Sequence, residues 1–303
     1  MTLKGQIALV AGATRGAGRA IAVSLGEAGA VVYCSSRSTR GNLPNPKRTE
    51  TIEETAEMVT ARGGAGMAVR TDHTVPEEVA RLMKRIRKEH GRLDILVNNV
   101  NGDDLIEWKT FWKLPLDNIL RGMERGIHSH VITAHHAIPL LLESKRALIA
   151  GITDGDGWYY RGTFLYDIEK TTVIRLAMVF AHELRKQRVA SVALTPGFIR
   201  SEQVLEVLGV TESNWRDAIP NRPEFAESET PFLIGRAIAA LAADPKIMGK
   251  SGRVFSSAAL AAEYGLQDVD GRSPDIWRFF KETMPQYSFR RIDDAFLEYF
   301  GPP

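Results

Sequence analysis

Short runs of apolar, often β-branched residues alternate along this chain with longer segments of helical spacing. The runs are Gln6–Ala11, Ala30–Cys34, Met67–Thr71, Asp94–Asn98, Ala147–Thr153, Val189–Leu194 and Gly252–Ser256. The helical segments are Gly16–Glu27, Thr51–Ala61, Pro76–His90, a long stretch from about Leu116 to Glu143, Tyr166–Gln187 and Thr230–Ala243. Pro76 stands near one helix start and Gly91 just past its end, while Pro139 bends or frays the last turns of the long stretch. A strand that is apolar on both faces needs cover on both faces, and parallel strands need long crossovers between them. The pattern predicts an α/β chain, one domain over 1–303, with a doubly wound parallel sheet of about seven strands and helices on both faces. Two segments do not fit. Ser38–Thr49 is polar with Gly41, Pro44 and Pro46, and reads as a loop insertion; the tail 275–303 reads as an appended arm.

Bulk properties exclude several classes. The net charge of +2 over 303 residues gives no electrostatic reason for nucleic acid or a membrane surface as partner. No stretch approaches the roughly 18 apolar residues of a membrane helix. The apolar start Ile7–Ala13 runs straight into a glycine-rich turn, so it reads as a strand and not a leader. The single cysteine, Cys34, cannot form an internal disulfide, which makes a reducing, cytoplasmic setting the expectation.

The first strand ends in Gly12-Ala13-Thr14-Arg15-Gly16-Ala17-Gly18, which opens a helix. Glycines let backbone approach a pyrophosphate, and a helix N-terminus offers free N–H donors. The spacing G-x-x-x-G-x-G differs from G-x-G-x-x-G, but the strand–turn–helix context is the required one. Here the chain resembles the short-chain dehydrogenases/reductases. Lys4–Ala22 carries the likeness first. Asp72 follows the third strand, and Asn98-Asn99-Val100-Asn101-Gly102 stands where that family has N-N-A-G. Tyr166-x-x-x-Lys170 stands at the catalytic helix, and Pro196-Gly197 follows the sixth strand with Ser201 beyond. The resemblance covers about residues 4–257, and Ser251–Gly271 further resembles the subgroup containing dehydrogenase/reductase member 1. It implies a Rossmann-type sheet. It also implies a dinucleotide lined by Gly12, Thr14, Arg15, Gly16, Ala17, Gly18, Arg37, Asp72, His73, Asn98, Tyr166, Lys170, Pro196, Gly197 and Ile199. A homodimer or homotetramer built on Leu116–Glu143 and Tyr166–Gln187 is implied as well.

Cofactor choice is read at the adenosine ribose. An NAD site places Asp or Glu after the second strand to accept from the 2′-hydroxyl. Here Val31-Val32-Tyr33-Cys34 runs into Ser35-Ser36-Arg37 with no acid. Arg37 and Arg15 can instead bond a 2′-phosphate, which points to NADP(H). Arg40, Lys47 and Arg48 on the insertion extend this basic rim.

Tyr166 and Lys170 lie four apart on one helix face. A phenol has a pKa of about 10, too high for acid–base work at neutral pH. A unit charge at ~4 Å is worth about 4 kcal/mol at an effective dielectric of ~20, so the Lys170 ammonium and the positive nicotinamide ring, which both favour phenolate, are expected to bring the phenol pKa near the working pH. The expected reaction is hydride transfer between nicotinamide and a carbonyl or alcohol, with Tyr166 as the acid–base group. By resemblance Lys170 also bonds the ribose. The group holding the substrate oxygen lies about thirteen residues before the tyrosine, where Thr153 stands; Asp154 is the alternative.

The family's asparagine in the helix before the fifth strand is missing: no Asn lies between Asn118 and Asn214. Its place falls on Gly122 or Gly126, with His128, His130 or water alone as the substitutes to weigh. That loss leaves a second reading, a non-catalytic NADP(H)-binding sensor. Phe164 stands where enoyl reductases carry their tyrosine. Metal binding is not expected, because His128/His130 and His135/His136 do not share a helix face, and Lys186 breaks the H-E-x-x-H pattern begun at His182. Trp108, Phe111, Trp112, Trp158, Tyr159 and Tyr160 are candidates for a wall over the nicotinamide.

Overall fold

The computed structural model describes residues 2–45, 47–157 and 159–283; Pro46, Trp158 and the arm beyond Thr283 lie outside it. Seven strands form one parallel sheet in the order β3-β2-β1-β4-β5-β6-β7. They are β1 (Ile7–Ala11), β2 (Val31–Ser36), β3 (Ala65–Arg70), β4 (Ile95–Asn98), β5 (Ala147–Ile152), β6 (Val189–Thr195) and β7 (Val254–Ser256). The interleaved helices are α1 (Gly16–Glu27), α2 (Ile52–Ala61), α3 (Pro76–His90), α4 (Leu116–Met123), α5 (Ser129–Leu141), α6 (Phe164–Glu183), α7 (Glu202–Leu208), α8 (Pro231–Ala243), α9 (Ser257–Tyr264) and α10 (Ile276–Thr283).

The strand period of two splits the core. In β1, Ala8 and Val10 enter one apolar cluster and Ile7 and Leu9 the other. In β4, Ile95 and Val97 enter the first and Leu96 the second; in β5, Leu148 and Ala150 separate from Ala147 and Ile149 in the same way. The first cluster is closed by α1, α2 and α8 and the second by α3 and α5. Because both faces of the inner strands are buried, those strands carry no polar alternation and read as continuous apolar runs, whereas the edge strand β3 is only partly covered.

From β1 the chain winds outward to β3, then returns to β4 on the other side of β1. The carboxyl ends of β1 and β4 therefore diverge into a crevice, the usual ligand position in such sheets.

Helix boundaries differ from expectation in instructive places. The long stretch after Leu116 is helical as expected, but its hydrogen bonding is not uniform. A π-helical turn, Glu124–His128, separates α4 from α5, and Gly126 in it is buried. Three helices, α7, α9 and α10, are not expected from the sequence pattern, and α10 stands at the start of the appended arm. Ser201 caps α7 by accepting from Val204 N–H at 3.3 Å, and Ser256 caps α9 by accepting from Ala259 N–H at 3.0 Å. Both caps were visible as serines, but the helices behind them are one or two turns long and show little periodicity.

Candidate active site

At the switch point the glycine turn folds against the end of β4. A Cβ on Gly18 would lie 2.0 Å from the Gly12 carbonyl oxygen, and one on Gly12, whose φ is +84°, would lie 2.8 Å from that of Asn99. Only glycine allows this approach. Asn99 Nδ2 donates to the Gly12 carbonyl at 3.0 Å and locks the two loops together.

A cleft of about 420 Å³ opens beside this turn. Gly12, Thr14, Arg15, Gly16, Ala17, Arg37, Asp72 and His73 line one end. Thr153, Tyr166, Lys170, Pro196, Gly197 and Ile199 line the other. Two expected contacts, Gly18 and Asn98, stand behind the wall; Asn98 is buried in β4. Pro44 and Asn45 of the insertion also line the cleft, and Arg48 reaches across to Glu206 of α7 at 2.6 Å. Arg40 pairs instead with Glu57 of α2 at 2.7 Å.

The first end fits an anionic group. Gly16 N–H, at the start of α1, donates to the Glu202 carboxylate at 3.0 Å, so an anion already sits on this helix N-terminus. The Thr14 hydroxyl is buried with no hydrogen-bond partner. Arg37 meets Asp72 at 3.9 Å, the long end of an ion pair, which leaves its N–H donors available. His73 is held between Ser35 and Thr133, each at 2.8 Å, and burial pushes its pKa down to about 4, so it is a neutral structural group.

At the second end the phenol and the ammonium come together as expected: Lys170 Nζ lies 5.0 Å from the Tyr166 ring centre. The charge balance is not the expected one. Lys170 Nζ donates to Glu169 Oε1 at 3.0 Å and to Asp103 Oδ1 at 3.2 Å. Burial opposes its charge, yet Asp103, Glu169 and Tyr166 raise its pKa well above the ordinary value. Tyr166 is likewise raised well above 10, by burial first and by Asp154 next, with Lys170 pulling the other way. Of the two charges expected to favour phenolate, the ammonium is in place, but burial first and the carboxyl groups of Asp154, Asp103 and Glu169 next outweigh it. Neither Glu169 nor Asp103 stood out in the sequence. Their signal, a carboxyl beside the lysine and another following the N-N-V-N-G segment, acquires meaning only once the loops are placed.

Thr153 lies in the cleft wall beside Asp154. Its hydroxyl donates to the Lys170 carbonyl at 2.8 Å, so its single proton is committed to the α6 backbone. The Asp154 carboxyl lines the cleft and faces the Tyr166 hydroxyl, and burial raises its pKa. The two histidines near the place of the missing asparagine differ in surroundings. His128 is exposed. His130 lies within 2.8 Å of the Val100 carbonyl, which requires its Nε2 to carry the proton, and burial pushes its pKa down to about 4. Of the aromatic wall, Trp108 stands 6.3 Å from Tyr166, ring centre to ring centre, and Phe111 stacks on Phe164 at 4.6 Å. No metal-binding group of three His, Cys, Asp or Glu occurs among the described residues, nor is any described helix long and apolar enough to cross a membrane.

Comparison with known proteins agrees with this arrangement. The family model for short chain dehydrogenase matches residues 6–208. The chain is 34% identical over 283 residues to mouse dehydrogenase/reductase SDR family member 1, covering 89% of this chain and 85% of that protein. To the human protein of the same name it is 33% identical over 276 residues, with the same coverage. A short chain dehydrogenase from Mycobacterium thermoresistibile superposes with a TM-score of 0.76 at 22% identity, over 91% of this chain and 96% of that one, a likeness of fold. The chain therefore belongs to the short-chain dehydrogenase/reductase family of oxidoreductases.

Proposed function

We propose that this chain is an NADP(H)-dependent oxidoreductase moving hydride between nicotinamide and a carbonyl or alcohol carbon of a small-molecule substrate. The observation that carries the reading is that Tyr166 and Lys170 open into the same cleft as the glycine turn and Arg37. Arg15 and Arg37 are the residues that would hold a 2′-phosphate, and no carboxylate follows β2 to accept from a free 2′-hydroxyl. Gly12, Thr14, Gly16 and Ala17 would cradle the pyrophosphate; Asp72, Pro196, Gly197 and Ile199 would line the remaining length. The cofactor supplies or accepts the hydride; the protein supplies the proton and the fit.

With its pKa well above 10, Tyr166 is a neutral phenol across the physiological range. The resting site is therefore set to give a proton to a substrate oxygen as negative charge develops there. Lys170, fully charged and held from two sides, stabilises the phenolate left behind. Asp154, in its protonated form, is better placed than Thr153 to donate to the same oxygen. A competing reading, a cofactor-binding sensor without turnover, draws on the same Asp154: ionised, it would repel an alkoxide.

The test is a panel of ketones and aldehydes with NADPH, followed by Tyr166→Phe on whichever is reduced. Turnover should fall by about 10² or more while NADPH affinity stays nearly constant. Undiminished turnover would remove Tyr166 from the chemistry. Tight NADPH binding without turnover on any carbonyl would favour the sensor.

A further inference from the structure

Glu169 and Lys170 are consecutive on α6, and side chains one apart on a helix point about 100° away from each other. Their contact at 3.0 Å therefore needs something to turn the carboxylate inward. The neighbouring helix provides the space. A Cβ on Gly126, in the π-helical turn, would lie 2.1 Å from the Glu169 carboxyl carbon. The carboxylate fills the hollow that this glycine leaves and is 1% exposed. There it accepts from Gly102 N–H at 3.2 Å through one oxygen and from Lys170 through the other. A buried carboxylate without such partners would be strongly unfavourable, so the hollow, the amide and the ammonium act as one unit.

We propose that Glu169 is a positioning residue for the reaction: seated in the Gly126 hollow, it anchors the Lys170 ammonium against Tyr166. The proposal rests on the reading of Tyr166 and Lys170 as the acid–base pair. The groups facing this ammonium are Tyr166 and Glu169 from α6, Asp103 from the loop after β4, Asp154 from the end of β5 and neutral His130 from α5. Asp103 holds Lys170 from the open side and is partly exposed; Glu169 holds it from the closed side. Only the closed-side contact is shielded from solvent and salt.

Glu169→Gln keeps the volume and the Gly102 contact and removes the charge. It should lower kcat about 10-fold while moving substrate KM by less than about threefold. It should also move the rising limb of alcohol oxidation to higher pH, because an ammonium no longer anchored against the phenol stabilises the phenolate less. A merely structural residue would not move that limb. Gly126→Ala, which displaces the carboxylate, should reproduce the loss, and should add little in a Glu169→Ala background. A Glu169→Gln variant with kcat within twofold of wild type and an unmoved limb, while Tyr166→Phe still abolishes turnover, overturns the proposal and leaves the acid–base reading standing. If Glu169→Gln does not fold, the Gly126→Ala/Glu169→Ala pair gives the same decision. If Tyr166→Phe is also fully active, both readings fall.

Discussion

Single residues in this protein take their chemistry from what surrounds them more than from their type. Thr153 and Asp154 are adjacent, yet the threonine proton is spent on the α6 backbone and the carboxyl faces the phenol. Thr153→Val should therefore cost about 1 kcal/mol of stability, the scale of one buried hydrogen bond, and little specific activity. Asp154→Ala, which removes the donor, should lower turnover by an order of magnitude or more. Steady-state rates beside thermal melts separate the two; the reverse ranking would return Thr153 to the substrate. Glu229 is a second case. It is buried against Gly197 and Ser257, and burial raises its pKa to about 8. A carboxyl whose folded pKa lies above its unfolded value binds more protons when folded. Its stabilising effect is complete below about 4.5 and is lost as pH rises toward 8. Glu229→Gln should thus raise Tm at pH 8.5 and leave it nearly unchanged at pH 4.5, followed by circular dichroism; an equal shift at both values would refute the assignment.

Elements from opposite rims meet over the cleft. The insertion reaches α7 through Arg48 and Glu206, and α7 places the Glu202 carboxylate on the Gly16 amide. A phosphate approaching the start of α1 must displace that carboxylate. Glu202→Ala should tighten NADPH binding by about threefold to tenfold, up to about 1.4 kcal/mol, in a fluorescence titration. Weaker binding would mean that Glu202 belongs to the site in another capacity. The same titration with NADH tests the basic end: NADPH should bind at least tenfold tighter, and Arg37→Asp should narrow the gap. The insertion itself, exposed and proline-containing, should be the first site of limited proteolysis and should be cut more slowly with NADP⁺ present.

On the scale of the whole molecule, one face is unfinished. Leu116 and Leu120, four apart on α4, are 64% and 55% exposed, and Val131 on α5 is exposed as well. A self-complementary pairing of this face buries it in both copies at once. The expectation is an assembly of at least twice the 33.6 kDa chain by light scattering at micromolar concentration. Leu120→Glu should dissociate it; a wild-type monomer would count against the pairing. The alternation of apolar runs with helical segments determined the sheet by itself, because a strand buried on both faces has no other sequence than a continuous apolar one. The glycine turn, Arg37 and the Tyr166–Lys170 spacing were legible for a related reason: each is a local pattern whose spacing already places its members on one loop or one helix face. Tertiary structure alone decided the rest. It brought Gly126 opposite Glu169, Asp103 to Lys170 and Glu202 to Gly16, pairs drawn from separate elements or turned inward by them. Charge and burial at such contacts depend on distances across the fold, and no periodicity along the chain records them.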